Sequence, residues 1–353
     1  MRIVIDCRYI RLGQHDGISR YTAGIVTALL KLHPVTMLIS DERQLEMLPD
    51  APWHRVSAPT SIHEPFLARQ VNPLKPDVVF TPMQTMGSFG RQYRFVNTIH
   101  DLIYYSHPTP PRNLPWPVRV LWRLYHLSWW PQRFLLNRAD AVVTVSQTTK
   151  ELIRRHRLTK RDVTVVYNAA DPVLAVRREQ PAERDLLYMG SFMPYKNVET
   201  LALAMQHLPG YRLHLLSRAS DADRARLGAL APAGSLVFHG GVSDEEYHDL
   251  LRGAFALVHA SRDEGFGIPL VEAMAHGTPI VVSDIPIFTE IGGEAAGFFR
   301  PDSAEDAAAA VRALEDSAEW SRRSALAHEQ AGRFDWDRSA AVLYDLLRRF
   351  AGS

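Results

Sequence analysis

The chain has 353 residues, 46% of them hydrophobic, which is long enough to predict two domains with separate cores. Forty Lys and Arg residues against 39 Asp and Glu leave a formal charge of +1, which excludes a global electrostatic attraction to nucleic acid. Cys7 is the single cysteine, so an intramolecular disulfide and a cysteine metal cluster are excluded, and the absence of a signal-like leader or of a charge-free apolar run of about eighteen residues predicts a cytoplasmic protein without a spanning helix.

Along the chain, short apolar runs alternate with helix-length amphipathic segments, the pattern of parallel sheets covered by helices on both faces. The first half predicts strands over Ile3–Asp6, Val35–Ser40, Asp77–Thr81, Phe95–His100, Ala141–Ser146 and Val163–Tyr167, with helices over Ile18–Lys31 and Gln147–His156. Residues 170–182 carry Asp-Pro, a run of charge and a second Pro, which is linker composition. The second half predicts strands over Asp185–Gly190, Arg212–Ser217, Leu236–His239, Ala256–His259 and Pro279–Ser283. The expected fold class is therefore α/β, with two doubly wound Rossmann-like domains facing across a cleft and ligands bound beyond the carboxyl ends of the strands.

The loop between the last two of these strands reads Arg262-Asp-Glu-Gly-Phe-Gly-Ile-Pro-Leu-Val-Glu272. Pro269 suits a first helical turn and Gly277 the position past a helix end, so a helix is predicted over Pro269–His276. The N–H groups of Gly267, Ile268 and Leu270 would then point from its N-terminus, where the macrodipole favours an anion such as a diphosphate. Gly265 and Gly267 let that anion approach the backbone. Glu272, one turn in and leaning back toward the N-terminus, is placed to accept both hydroxyls of a ribose diol, and Glu264 faces whatever the distal phosphate carries. Read structurally instead, Glu264 complements the helix dipole and Glu272 is a solvated helix residue.

Glu264-Gly-Phe-Gly-Ile-Pro-Leu-Val-Glu272 closely resembles the Glu-x7-Glu signature of the retaining family 4 glycosyltransferases, which have the GT-B fold. Asp16-Gly-Ile-Ser-Arg-Tyr21 resembles that family's N-terminal glycine loop and His100-Asp101 its His-Asp pair, and the likeness extends through Tyr188-Met-Gly-Ser-Phe-Met-Pro-Tyr-Lys-Asn197 and Phe238-His-Gly-Gly-Val242 to Phe334-Asp-Trp-Asp337. The resemblance implies an acceptor-binding domain over residues 1–170, a nucleotide-sugar-binding domain over 171–334 and a C-terminal helix over 335–353 that crosses back to the first domain. It implies His100, Glu264 and Lys196 as the catalytic set. Donor contacts are implied from Gly17, Ser191, Lys196, Val242, Gly265, Phe266, Gly267, Ile268 and Glu272, with Lys196 on the diphosphate, Glu272 on the ribose and Val242 near the base. Many members carry an Arg shortly before the lysine, where this chain has Tyr195; Arg20, Arg218 and Arg262 are the candidate replacements. The glycine-loop and His-Asp sequences look most like the mannosyltransferase branch, so the donor implied is GDP-mannose and the acceptor a hydroxyl on a glycan or glycolipid.

The alternatives from other classes are a nucleotide-sugar 2-epimerase on the same scaffold and a donor-binding protein without turnover. No metal is expected: Asp221-Ala-Asp223 and Asp335-Trp-Asp337 both precede helices and read as caps. Residues 108–138 combine Trp116, Trp122, Trp129 and Trp130 with Arg112, Arg119, Arg123, Arg133 and Arg138. That mixture suits peripheral contact with the cytoplasmic membrane face, or a helix whose Trp side chains pack inward while its arginines face water; the second reading is the one expected. The sequence sets no oligomeric state.

Overall fold

The computed structural model describes residues 1–13, 15–110, 115–171, 173, 179–181 and 183–351. Most of the predicted linker, and Arg112, lie outside the described residues. The chain divides into two compact units, residues 1–169 together with 335–353, and residues 170–334.

The first unit is built on seven parallel strands: β1 Ile3–Asp6, β2 Val35–Ile39, β3 Trp53–Arg55, β4 Val78–Thr81, β5 Arg94–Ile99, β6 Ala141–Thr144 and β7 Val163–Val165. Their order is β3-β2-β1-β4-β5-β6-β7, and Ile5 stands opposite Met37 on one side and Phe80 on the other. Every residue of β1, β4 and β6 is buried, as a sheet covered on both faces requires. The covering helices are α1 Gly17–Leu30, α2 Ala68–Val71, α3 Ile103–Ser106, α4 Trp116–His126, α5 Trp130–Asn137 and α6 Gln147–Arg155.

At the carboxyl end of β1 the chain buries a charged cluster. Arg8 donates through Nε to Asp6 Oδ1 (2.8 Å) and through Nη2 to Asp6 Oδ2 (3.0 Å) and Glu64 Oε1 (3.0 Å), while its Nη1 serves Glu64 Oε2 (2.6 Å) and the Ser57 carbonyl (3.0 Å). Burial works against the Arg8 charge, but the two carboxylates outweigh it and raise its pKa. Gln44 Nε2 donates to the carbonyls of Arg8 and Ile10 at 3.0 and 2.9 Å, which fixes the path of the loop that leads to α1.

The second unit holds β8 Asp185–Tyr188, β9 Arg212–Leu215, β10 Leu236–Phe238, β11 Ala256–His259, β12 Ile280–Ser283 and β13 Gly297–Phe299, all parallel, in the order β10-β9-β8-β11-β12-β13. Its helices are α7 Val198–Ala204, α8 Asp221–Gly228, α9 Asp244–Gly253, α10 Ile268–Ala275, α11 Pro286–Gly292, α12 Ala304–Arg312 and α13 Ser317–Ala331. Trp320, fully buried, anchors the core with Leu213, Leu215 and Phe255, and its indole N–H donates to the Phe255 carbonyl at 2.9 Å. The last helix, α14 Trp336–Ala351, belongs to the first unit, where it packs along α1: a methyl group on Gly24 would overlap the Trp336 indole.

Both sheets share the strand order of dinucleotide-binding folds, with the order reversing between β1 and β4 and between β8 and β11. The sequence did not predict β3 and β13. Each is a three-residue edge strand; β3 is exposed throughout and shows no apolar run, while β13 closes the short apolar stretch Ala295–Phe299, where Gly297 weakens the strand signal. Capping also differs in detail. Asp335 caps α14 by accepting from the Arg338 N–H (2.9 Å), whereas Ser220 is the cap of α8, and Asp221 and Asp223 lie inside its first turn.

Candidate active site

The Glu264–Glu272 segment joins β11 to α10. Gly267 caps α10 with φ +96°, a left-handed conformation that favours glycine, and a methyl there would stand 3.1 Å from the Phe288 ring. The helix begins at Ile268, one residue before the expected Pro269, and ends in a Schellman pair: Gly277 N–H to Met274 carbonyl and Thr278 N–H to Ala273 carbonyl, both 2.9 Å. Of the three amides expected to point outward, that of Leu270 is instead bonded to the Gly267 carbonyl at 2.9 Å, because the first turn tightens to i,i+3 geometry. The Gly267 and Ile268 amides have no partner among the described residues.

Glu272 is not a solvated helix residue. It is 4% exposed, and its Oε2 accepts from the Tyr247 hydroxyl at 3.0 Å. Tyr247 lies in the first turn of α9, whose cap, Ser243, directly follows Val242. Nothing in the local sequence marks Tyr247; its role depends on the packing of α9 against α10.

Lys196 ends a single 3-10 turn, Pro194–Lys196, after β8. Asn197 holds that turn in place from a left-handed conformation (φ 53°), donating through Nδ2 to the Ala260 carbonyl (3.1 Å) and the Pro301 carbonyl (2.6 Å). The Lys196 ammonium is thereby brought onto Glu264 Oε1, 68 residues away in the chain, and Ser261 Oγ donates to the same oxygen at 3.0 Å. Both members of the pair are largely buried. Ser191 is exposed, and its carbonyl accepts from the Tyr188 hydroxyl at 2.6 Å. Phe266 is buried edge-on to Phe334 at 5.6 Å, and Gly265 links Glu264 to this ring.

His259, at the end of β11, was not among the residues expected from sequence. Burial and the nearby Lys196 charge push its pKa down to about 4, so it is neutral near pH 7; Nε2 lies 2.9 Å from the Met189 carbonyl and carries the proton.

His100 follows β5 in the first unit. Its Nε2 lies 2.7 Å from the Pro82 carbonyl, its ring meets Tyr21 edge-on at 5.1 Å, and burial lowers its pKa to about 4. Asp101 Oδ1 accepts from the Ile103 N–H at 3.1 Å, so it caps the following turn. Gly17 is the exposed first residue of α1, with Asp16 as the cap accepting from Ser19 N–H at 2.9 Å.

Of the candidate second cations, Arg262 is taken by Asp302 at 2.7 and 3.0 Å and by the Pro194 carbonyl at 3.3 Å. Arg20 stands in the first unit. Arg218, three residues past β9, is exposed and has no ion pair or hydrogen bond among the described residues. Among the described residues no group of three His, Cys, Asp or Glu side chains is placed to hold a metal ion.

The tryptophan- and arginine-rich segment forms two helices, α4 and α5, rather than one. Trp129 stacks between Tyr105 (3.8 Å) and His156 (4.3 Å) against a buried cluster, as the inward reading expected, whereas Trp122 packs on Tyr104 (4.9 Å) and stays part-exposed. Trp116 and Trp130 depart from it, at 76% and 68% exposed, and α4 has no buried residue at all. No described helix is long and apolar enough to cross a membrane.

Residues 15–174 match the Glycosyltransferase Family 4 description and residues 175–330 match Glycosyl transferases group 1. The chain is 26% identical over 321 residues to the O-antigen chain mannosyltransferase RfbU of Salmonella typhimurium, covering 86% of this chain and 89% of that one. In fold it is similar to sucrose-phosphate synthase from Thermosynechococcus elongatus (TM-score 0.75, 20% identity, all of both chains). It is also similar to Anabaena HepE in complex with UDP and glucose (TM-score 0.72, 18% identity, 99% of this chain and 100% of that one). With both halves matched in sequence and both sheets in dinucleotide-fold order, the chain belongs to glycosyltransferase family 4 and is a glycosyltransferase of the GT-B fold.

Proposed function

We propose that this glycosyltransferase moves mannose from GDP-mannose to a hydroxyl of a glycan or glycolipid, with retention of anomeric configuration. The observation that carries the reading is the convergence of Lys196, Glu264, the open Gly267 and Ile268 amides and Glu272 at the carboxyl end of one parallel sheet. In this reading the two amides and Lys196 hold the diphosphate, Glu272 accepts from the ribose hydroxyls, and Glu264 orients the sugar. The first unit binds the acceptor, and its His100 has a neutral ring suited to hydrogen bonding rather than to charge. The glycosidic carbon–oxygen bond breaks as negative charge builds on the diphosphate. The acceptor oxygen bonds to the same face of that carbon, and its proton passes to the departing diphosphate. Lys196 and the fixed amides stabilise that charge, and no metal ion is assigned a part in it. The likeness to the O-antigen chain mannosyltransferase RfbU supports mannose as the sugar.

Thermal unfolding with GDP, UDP, ADP and dTDP at equal concentration tests the donor site. The nucleotide that matches the site should add roughly 2.7 kcal/mol at about a hundred times its dissociation constant. GDP is expected to stabilise most, and stabilisation by none of the four would remove the reading.

We further propose that the acceptor is met at an anionic membrane surface. Trp116, Val120 and Leu124 on α4 and Leu127 at its C-cap recur at helical spacing, all exposed, with Arg119 and Arg123 alongside. Between Asp101 and Asp140 there are five arginines and no acidic residue. Apolar side chains flanked by arginine are what an interfacial helix presents to anionic lipid. Trp116→Ala combined with Leu124→Ala should weaken binding to phosphatidylglycerol vesicles by roughly tenfold or more, since each side chain contributes about 1.5–3 kcal/mol when fully buried. Sedimentation of the unmodified protein apart from such vesicles would refute the membrane reading.

A further inference from the structure

We infer that Arg218 reads the nucleobase of the donor and sets a preference for guanine, an inference that rests on the donor-site reading above. The Gly241 N–H donates to the Leu216 carbonyl at 2.9 Å, which ties the turn after β10 to the turn after β9. Gly241 has φ +107°, and a methyl group there would meet Arg218 Nε at 3.4 Å and Cγ at 3.5 Å. The Arg218 side chain therefore lies along the backbone that leads into Val242.

The route of a bound nucleotide brings its base to this place. The open amides mark the diphosphate end at Gly267 and Ile268. Glu272, one helical turn on, is joined through Tyr247 to the first turn of α9, and the residues directly ahead of α9 are Gly241, Val242 and Ser243. A ribose on Glu272 thus directs its base toward Gly241 and Val242, where Arg218 waits without a partner among the described residues. Arg224, whose Nη2 would stand 3.7 Å from a methyl on Gly240, lies over the Phe238 ring at 4.9 Å.

The chemistry of a guanidinium then selects among bases. Its planar fork donates two parallel N–H groups, which match the O6 and N7 acceptors of guanine. Adenine offers N7 beside an amino donor, and uracil offers single carbonyls without that paired edge.

The test is titration calorimetry of GDP, GMP, ADP and UDP into the unmodified protein, R218A and R218K, with melting in the absence of nucleotide as the folding control. The unmodified protein should prefer GDP to ADP by about 5- to 150-fold, the equivalent of one bidentate base contact. R218A should lose that preference and weaken GDP and GMP by the same factor; R218K, a point charge without the fork, should restore little of it. An unchanged GDP to ADP ratio in R218A would overturn the inference, as would a loss confined to GDP, which would place Arg218 on the distal phosphate. A preference of the unmodified protein for UDP or ADP would overturn it while leaving the donor site standing. Failure to bind any of the four nucleotides would remove the donor site itself, and the Arg218 inference with it.

Discussion

Lys196→Ala should lower turnover by about two to three orders of magnitude, the usual consequence of removing one group that stabilises developing negative charge in a water-poor site. Lys196 is held against Glu264, and both side chains are largely buried. The alanine variant would leave the Glu264 carboxylate with the Ser261 hydroxyl but without its counter-charge, so an arriving diphosphate would meet a bare anion instead of a neutral pair. The turn is held without the lysine side chain, by Asn197 on the Ala260 and Pro301 carbonyls and by the Arg262 N–H on the Tyr195 carbonyl. The stability cost is thus confined to the unpaired Glu264, which protonation relieves, and stability should fall less than turnover. Donor turnover and urea unfolding, measured side by side, should therefore separate. Activity within threefold of the unmodified protein would assign the diphosphate to another cation.

Arg8→Met should destabilise the first unit by about 3–5 kcal/mol, the cost of stranding buried carboxylates when their shared partner is removed. All five guanidinium N–H groups are used, on Asp6, Glu64 and the Ser57 carbonyl, and neither Arg8 nor Asp6 exposes its side chain. Lysine brings three donors and no fork, so Arg8→Lys should recover only part of the loss. Replacing Asp6 by Asn and Glu64 by Gln in the Arg8→Met background should restore stability, because no stranded charge then remains. A change below about 1 kcal/mol in urea unfolding would mean that the cluster behaves like a surface pair.

The strands were legible wherever burial on both faces wrote an unbroken apolar run, as in Ile3–Asp6 and Ala256–His259. Trp53–Arg55 and Gly297–Phe299 were not, the first because it is exposed throughout and the second because it opens on a glycine. The edge strands Val163–Val165 and Leu236–Phe238, by contrast, were legible from their β-branched and apolar residues. In the same way the Glu264–Glu272 loop announced itself through its glycines and Pro269, which are local requirements of a strand-loop-helix turn. The side chains that hold it in place did not: Tyr247 on Glu272 and Asn197 across to Ala260 and Pro301 act over long separations. Each is an ordinary residue until the fold supplies its partner. The Trp116–Asn137 region shows the same limit, since spacing alone could not say which tryptophans would find Tyr104 and Tyr105 and which would be left outside.

The first unit is assembled from both ends of the chain, and this orders events during synthesis. A chain emerging from the ribosome completes β1 to β7 while α14, whose Trp336 covers Gly24 on α1, has yet to be translated. About 165 residues intervene, or roughly 8 to 33 s at ribosomal speeds of about 5–20 residues per second. The second unit is continuous in sequence and can close during that interval. The half that is translated first is thus the half that matures last, with one flank of α1 open to chaperones until the final helix arrives.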